Sequence, residues 1–117
     1  MNRRTMRIST TLLFLLTLVM GAGLLLAQQT RTVEGTVLDA NDNALPHAIV
    51  YLKNVRSHGV RTYIAGDDGK FNFHAVDPNV NYELYAEYQG KKSSTRTVSS
   101  FDSRPVIHMD LKVPIGH

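Results

Sequence analysis

Gly66-Asp67-Asp68-Gly69-Lys70-Phe71-Asn72-Phe73, followed by Tyr82-Glu83-Leu84-Tyr85-Ala86, constrains this chain more than any other stretch. Asp-Gly makes a tight turn, since glycine takes φ > 0 without steric cost and aspartate bonds the local backbone. Beyond the turn, Phe71 and Phe73 fall on one face of an extended segment and Asn72 and His74 on the other. Tyr82, Leu84, Ala86 and Tyr88 repeat that pattern one strand later. The phrase predicts a hairpin in a small sheet protein.

The N-terminus has a different character. Arg3, Arg4 and Arg7 precede an uncharged stretch from Ile8 to Thr30, whose centre, Leu12 to Leu26, is dominated by leucine. That is the layout of a secretory signal peptide. Residues 1–27 are therefore expected to form a hydrophobic signal helix, cut between Ala27 and Gln28, with residues 28–117 as the exported domain. Leu25, three residues before the cut, is bulkier than the usual small residue. An uncleaved signal anchor is the alternative, because the uncharged stretch approaches the length that spans a bilayer. It would be the chain's one contact with a membrane. Either way, the residues after Gln28 lie beyond the cytoplasmic membrane, secreted or periplasmic. Arg3-Arg4 reads as an ordinary basic region, since the residues after it fit a twin-arginine signal poorly.

Three of the 13 basic residues belong to this leader, so the remainder sets 10 basic side chains against 10 acidic ones. The alkaline isoelectric point is thus a property of the leader. A nucleic-acid partner needs a net basic face, and only Lys91-Lys92 with Arg96 comes near one. That cluster reads as a solvated strand edge, where lysine discourages edge-to-edge pairing. About 90 residues allow one domain with a modest core. The chain has no cysteine, which excludes disulfide staples, thiol catalysis, c-type haem, a lipoprotein anchor and thiolate zinc.

The domain reads as strands and turns throughout. Arg31 to Leu38 alternates, with Val33, Gly35 and Val37 on one face. Ala48 to Lys53 is apolar on both faces, which predicts a central strand covered on both sides. Arg61 to Ala65, Lys70 to Ala75, Tyr82 to Gln89, Ser93 to Val98 and Val106 to Val113 follow, separated by turn-rich polar runs. In the last of these, Ile107, Met109, Leu111 and Val113 face inward. Seven short strands at near-regular spacing predict an all-β sandwich.

Val33-Glu34-Gly35-Thr36-Val37, Ala44-Leu45-Pro46-His47-Ala48-Ile49-Val50, Asp68 to Phe73, Tyr82 to Ala86 and Gly90, in this order and spacing, resemble a carboxypeptidase regulatory-like domain. The resemblance spans nearly all of residues 28–117. It implies a transthyretin-like (Ig-like), carbohydrate-binding-like sandwich of seven strands, usually non-catalytic and commonly extracellular. It fixes no ligand and carries over no binding residue. His47 departs from the family, which usually has glycine at that position.

Chemistry-bearing residues are sparse. His47, His58, His74, His108 and His117 form no His-x-His or His-x-x-x-His pair, so no metal site is expected. Intradiol dioxygenases use Tyr and His on iron in a related sandwich, but this chain is too short for one and lacks their signature. Transthyretin-related hydroxyisourate hydrolases end in Tyr-Arg-Gly-Ser, whereas this chain ends Pro114-Ile115-Gly116-His117, leaving a hydrolase as a distant alternative. Asp67-Asp68 alternate in direction and suit a turn better than a calcium ion, which needs several more oxygens. An internal isopeptide bond needs a lysine in the first strand, and Val33 to Val37 has none.

The sequence therefore predicts no catalytic residue, no cofactor and no nucleic-acid partner. It predicts an exported binding module with a polar-aromatic surface of Tyr51, Tyr63, Asn72, His74 and Tyr85, where rings pack on sugar C–H faces and polar edges meet hydroxyls. The partner would be a glycan or another envelope or extracellular protein. The alternative is a structural domain that pairs with a protein through a strand edge.

Overall fold

The computed structural model describes residues 29–116, and the regular elements among them are strands. These are β1 (Arg31–Leu38), β2 (Ile49–Asn54), β3 (Val60–Ile64), β4 (Lys70–Val76), β5 (Tyr82–Tyr88), β6 (Lys91–Lys92), β7 (Arg96–Val98), β8 (Val106–His108) and β9 (Leu111–Lys112). One sheet has the order β4-β1-β8, with β9 continuing along β1. The other runs β3-β2-β5-β6, with β7 beside β5. The nine segments fill seven positions, so the predicted seven-row all-β sandwich is what forms. The signal helix, its cleavage point at Ala27–Gln28 and His117 lie outside the described residues.

Alternation builds the core. Val33 and Val37 of β1, Phe71 and Phe73 of β4, Val50 and Leu52 of β2, and Leu84 and Ala86 of β5 meet between the sheets, all buried. Ile107, Leu111 and Val113 close the far side, while Met109 is only half-buried. Each fully buried side chain of this size contributes about 1.5–3 kcal/mol of transfer free energy.

Four sequence expectations need correction. The Asp68-Gly69 turn is real, with Gly69 at φ +74 and the Asp68 Oδ1 accepting from Lys70 N at 3.0 Å. The strands it joins, however, lie in different sheets, so it makes an arch rather than a hairpin. The true hairpins are β2–β3 and β5–β6. The second of these turns on Gln89 and Gly90, at φ +49 and +77, the signs a two-residue type I′ turn requires.

β2 is central within its sheet, between β3 and β5, but the described residues cover only one of its faces. Its outward residues Ile49 and Tyr51 remain at the surface.

The two C-terminal strands are each interrupted. Between β6 and β7, Ser93 turns inward, its N–H bonding Ala86 O and its hydroxyl accepting from Ala86 N, both at 2.8 Å. Between β8 and β9, both parallel to β1, Met109 N donates to Glu34 O at 2.8 Å and the Asp110 carboxylate accepts from Thr36 N at 2.9 Å. This bulge drives the Met109 carbonyl against Gly35, where a Cβ would lie 1.8 Å from its oxygen. Only glycine fits there.

Arg31 shares the inward face with Val33 and is buried. Its guanidinium donates to the carbonyls of Ser99 (2.6 Å), Asp102 (3.1 Å), Asp77 (2.9 Å) and Val80 (3.1 Å). It thereby ties the 77–81 and 99–105 connections to the start of β1. Two further arginines cross between the sheets. Arg61 of β3 donates to His74 O on the β4 edge at 2.8 Å, and Arg96 of β7 reaches Asp110 O beside β8 and β9 at 3.3 Å.

Candidate functional site

Two sheet faces meet solvent. On the three-row sheet, Asn72, Glu34 and His108 form one cross-strand row beside a hollow of about 230 Å³. His74 contacts Thr32 Oγ1 at 3.3 Å, and His108 Nε2 pairs with Asp110 at 3.0 Å. This surface is polar, and Thr32–His74 and His108–Asp110 are side-chain contacts on it. Among the described residues no three His, Asp or Glu side chains converge as a metal site would require.

The four-row sheet presents a different surface. Register places Ile64, Ile49, Glu87 and Lys92 in one row, Thr62, Tyr51 and Tyr85 in the next, and Val60, Lys53, Glu83 and Thr97 in the third. Tyr51 and Tyr85 stack with centroids 4.9 Å apart and planes 18° from parallel. Lys92 Nζ lies 4.1 Å from the Tyr85 centroid, a cation–π contact. The Tyr51 hydroxyl donates to Glu87 Oε2 at 3.0 Å. That hydrogen bond, with partial burial and the carboxylate's charge added, holds the Tyr51 phenol above its ordinary pKa.

Because the rings stand across the strands, Tyr85 has one face on Tyr51 and the other under Lys92. Among the described residues, the outward face of Tyr51, over Thr62, is the one ring face of the pair without a ring or cation on it. Beyond it lie Ile49, Val60 and Ile64, exposed at 40%, 49% and 66%.

The five residues expected to form one surface are divided among three places. Tyr51 and Tyr85 stand together on the four-row face. Asn72 and His74 lie on the opposite side of the sandwich, on the three-row face. Tyr63 points inward, half-buried, with its ring 5.9 Å from that of Phe73 in an edge-on contact. Lys92, Glu87, Ile49, Thr62 and Ile64 were missed. The apolar character of both faces of β2 was the available signal, read as coverage when it marked an open surface. Asp67 and Asp68 do part company, Asp67 pairing with His47 at 2.9 Å while Asp68 caps Lys70.

His47 has φ +64, the left-handed conformation that glycine takes without cost. Ala75 at φ +56 marks a bulge in β4, where Val76 opposes Arg31 but Phe73 opposes Val33.

A search of curated proteins returns no match. Among solved structures, the domain superposes on catechol 1,2-dioxygenase from an Acinetobacter species (TM-score 0.56, 13% identity, 75% of this chain and 53% of that one). It also superposes on the major pilin subunit of Bacillus cereus (0.55, 15%, 74% and 30%) and the group B streptococcus pilus 2b backbone protein (0.56, 14%, 76% and 42%). The chain thus spans about half of the dioxygenase and less than half of either pilus protein. At these identities the likeness is one of fold. The profile of the carboxypeptidase regulatory-like domain matches residues 32–112, and the chain belongs to that family.

Proposed function

We propose that this domain is a non-catalytic binding module, exported to the envelope or exterior, that engages a protein through the outer face and free edge of its four-row sheet. The observation that carries the reading is the open apolar surface of Ile49, Val60 and Ile64 beside the Tyr51 ring, continuous with the β3 edge. Sheet edges recruit partner strands through main-chain hydrogen bonds, with flanking side chains supplying selectivity. The fold's use in a pilus backbone protein fits such a role. The uncharged leader-like stretch at residues 8–30 supports export.

A glycan is the second reading, favoured by the open face of Tyr51 between the hydroxyl of Thr62 and the Glu87 carboxylate. It is the weaker of the two, because a sugar platform needs exposed ring faces and Tyr85 offers none.

The deciding experiment uses the full chain and two variants. Ile64→Asp should abolish cross-linking to envelope proteins while leaving polysaccharide retention unaltered. Tyr51→Ala should do the reverse if a glycan is the ligand. Turnover of hydroxyisourate or a catechol by the pure chain would overturn the non-catalytic reading.

A further inference from the structure

We infer that the partner at the β3 edge is a second copy of this chain, joined by antiparallel pairing of β3 to β3 around a two-fold axis at Thr62. The inference rests on the edge-binding reading above and names its occupant.

Three of the sandwich's four edges are encumbered. Arg61 occupies a β4 edge carbonyl, Arg96 occupies one beside β8 and β9, and the edge formed by β6 and β7 is broken at Ser93. β3 is the fourth, five residues without interruption.

The phase of its ladder is set at both ends. Ala65 N donates to Ala48 O at 2.8 Å and Asn54 N to Gly59 O at 2.8 Å. Bonded and non-bonded pairs alternate in an antiparallel ladder, so Arg61 and Tyr63 face β2. Val60, Thr62 and Ile64 then turn their N–H and C=O groups away from the sheet.

Self-pairing centred on Thr62 sets these same residues against each other. Val60 meets the partner subunit's Ile64, Thr62 meets the partner subunit's Thr62, and Ile64 meets the partner subunit's Val60. Every outward N–H and C=O of the strand thereby finds a complement. On the inner face, Arg61 and Tyr63 of the partner subunit form the intervening non-bonded pairs, and their side chains stay on the His74 carbonyl and the Phe73 ring of their own subunit. Centring on Arg61 or on Tyr63 instead would use only three residues of the strand.

On the outer face the exposed apolar row becomes continuous, running from Ile49 and Ile64 across the seam to Val60 of the partner subunit. One register thus pairs the free backbone groups of the edge and sets Val60 and Ile64 side by side across the seam.

The chain has no cysteine, so Thr62→Cys introduces a unique thiol at the axis. Directly opposed residues in a bonded pair lie about 5.5 Å apart at Cα, within reach of a short bismaleimide that joins two thiols. The full-length T62C chain, treated with that bismaleimide, should become a covalently linked dimer. Thr97→Cys, on the opposite edge of the same sheet, should stay monomeric. Thr62→Pro removes one outward N–H without touching the β2 ladder, and should abolish lysine-directed cross-linking to dimer while the sheet circular dichroism persists.

A folded T62C chain that stays monomeric, or T97C cross-linking equally, overturns the inference. A thiol-attached photo-crosslinker at position 62 separates this failure from that of the parent reading. Adducts with a different protein would sink the self-pairing and leave edge binding standing, whereas absence of any adduct would sink both.

Discussion

Gly35→Ala isolates the most crowded backbone contact in the domain. A Cβ at this position would sit 1.8 Å from Met109 O, 2.6 Å from Met109 C and 3.0 Å from the Phe71 ring. Close carbon–oxygen contacts settle at about 3.3–3.6 Å, so the bulge between β8 and β9 must retreat by roughly 1.5 Å. The Met109–Glu34 and Asp110–Thr36 hydrogen bonds, at 2.8 and 2.9 Å, hold that bulge in place. Such a retreat takes both beyond bonding distance. Two lost bonds at about 1 kcal/mol each, with about 1–3 kcal/mol for overpacking, give a destabilisation of about 3–5 kcal/mol. In a domain of this size each kcal/mol lowers Tm by about 4–8 °C, so a fall of at least about 12 °C is expected by circular dichroism. Gly90→Ala is the matched control, because a Cβ there meets open space at φ +77. It should cost about 1–2 kcal/mol for the left-handed backbone alone. A Gly35→Ala fall no larger than that of Gly90→Ala would refute the steric argument and show that the bulge yields cheaply.

Phe73→Ala should cost about 3–5 kcal/mol in a denaturant melt and His74→Ala no more than about 0.5 kcal/mol, since the first ring is buried and the second exposed; equal losses would contradict the strand phase. His47→Gly should stabilise the fold by up to about 1 kcal/mol, because relief of the left-handed backbone outweighs an exposed His47–Asp67 pair; an unchanged or lowered Tm would place the importance in that pair. Alkaline titration followed by phenolate absorbance should show Tyr51 ionising later than an ordinary tyrosine, and Glu87→Gln should bring its titration down, as the Glu87 hydrogen bond is the leading cause of the shift. Since the folded state holds this proton more tightly, the stability it contributes is complete below about pH 10 and lost as pH rises through the folded value. A titration curve unaltered by Glu87→Gln would remove that cause.

Period-2 alternation made the strands legible, and β1, β4 and β5 fall close to where it placed them. It left three things open. Alternation says that Asn72 and Tyr85 both point outward, but not that β4 and β5 belong to different sheets, so the predicted surface was assembled from opposite sides of the molecule. It treats Ser93 and Asp110 as ordinary strand residues, although their side chains take over ladder positions and break the strands. It also reads apolar residues on both faces of β2 as evidence of burial, when one face is open. Arg31 was visible in phase with Val33 and Val37; its role was not, because the four carbonyls it binds lie 46 to 71 residues away.

The position of β1 sets the order in which this chain can be completed. Among the described strands it is the first made and the middle row of its sheet, and the segment that covers its second edge is the last of them, with Thr36 and Asp110 separated by 74 residues. At about 5–20 residues per second, β1 waits roughly 4–15 s for that segment to be synthesised. Throughout that interval an alternating apolar strand carries an unpaired edge, the feature that most invites pairing with another chain. Loop closure over such distances also slows folding. The native sheet therefore closes only after β9 has been made, and truncation before Leu111 would leave the waiting edge permanently open.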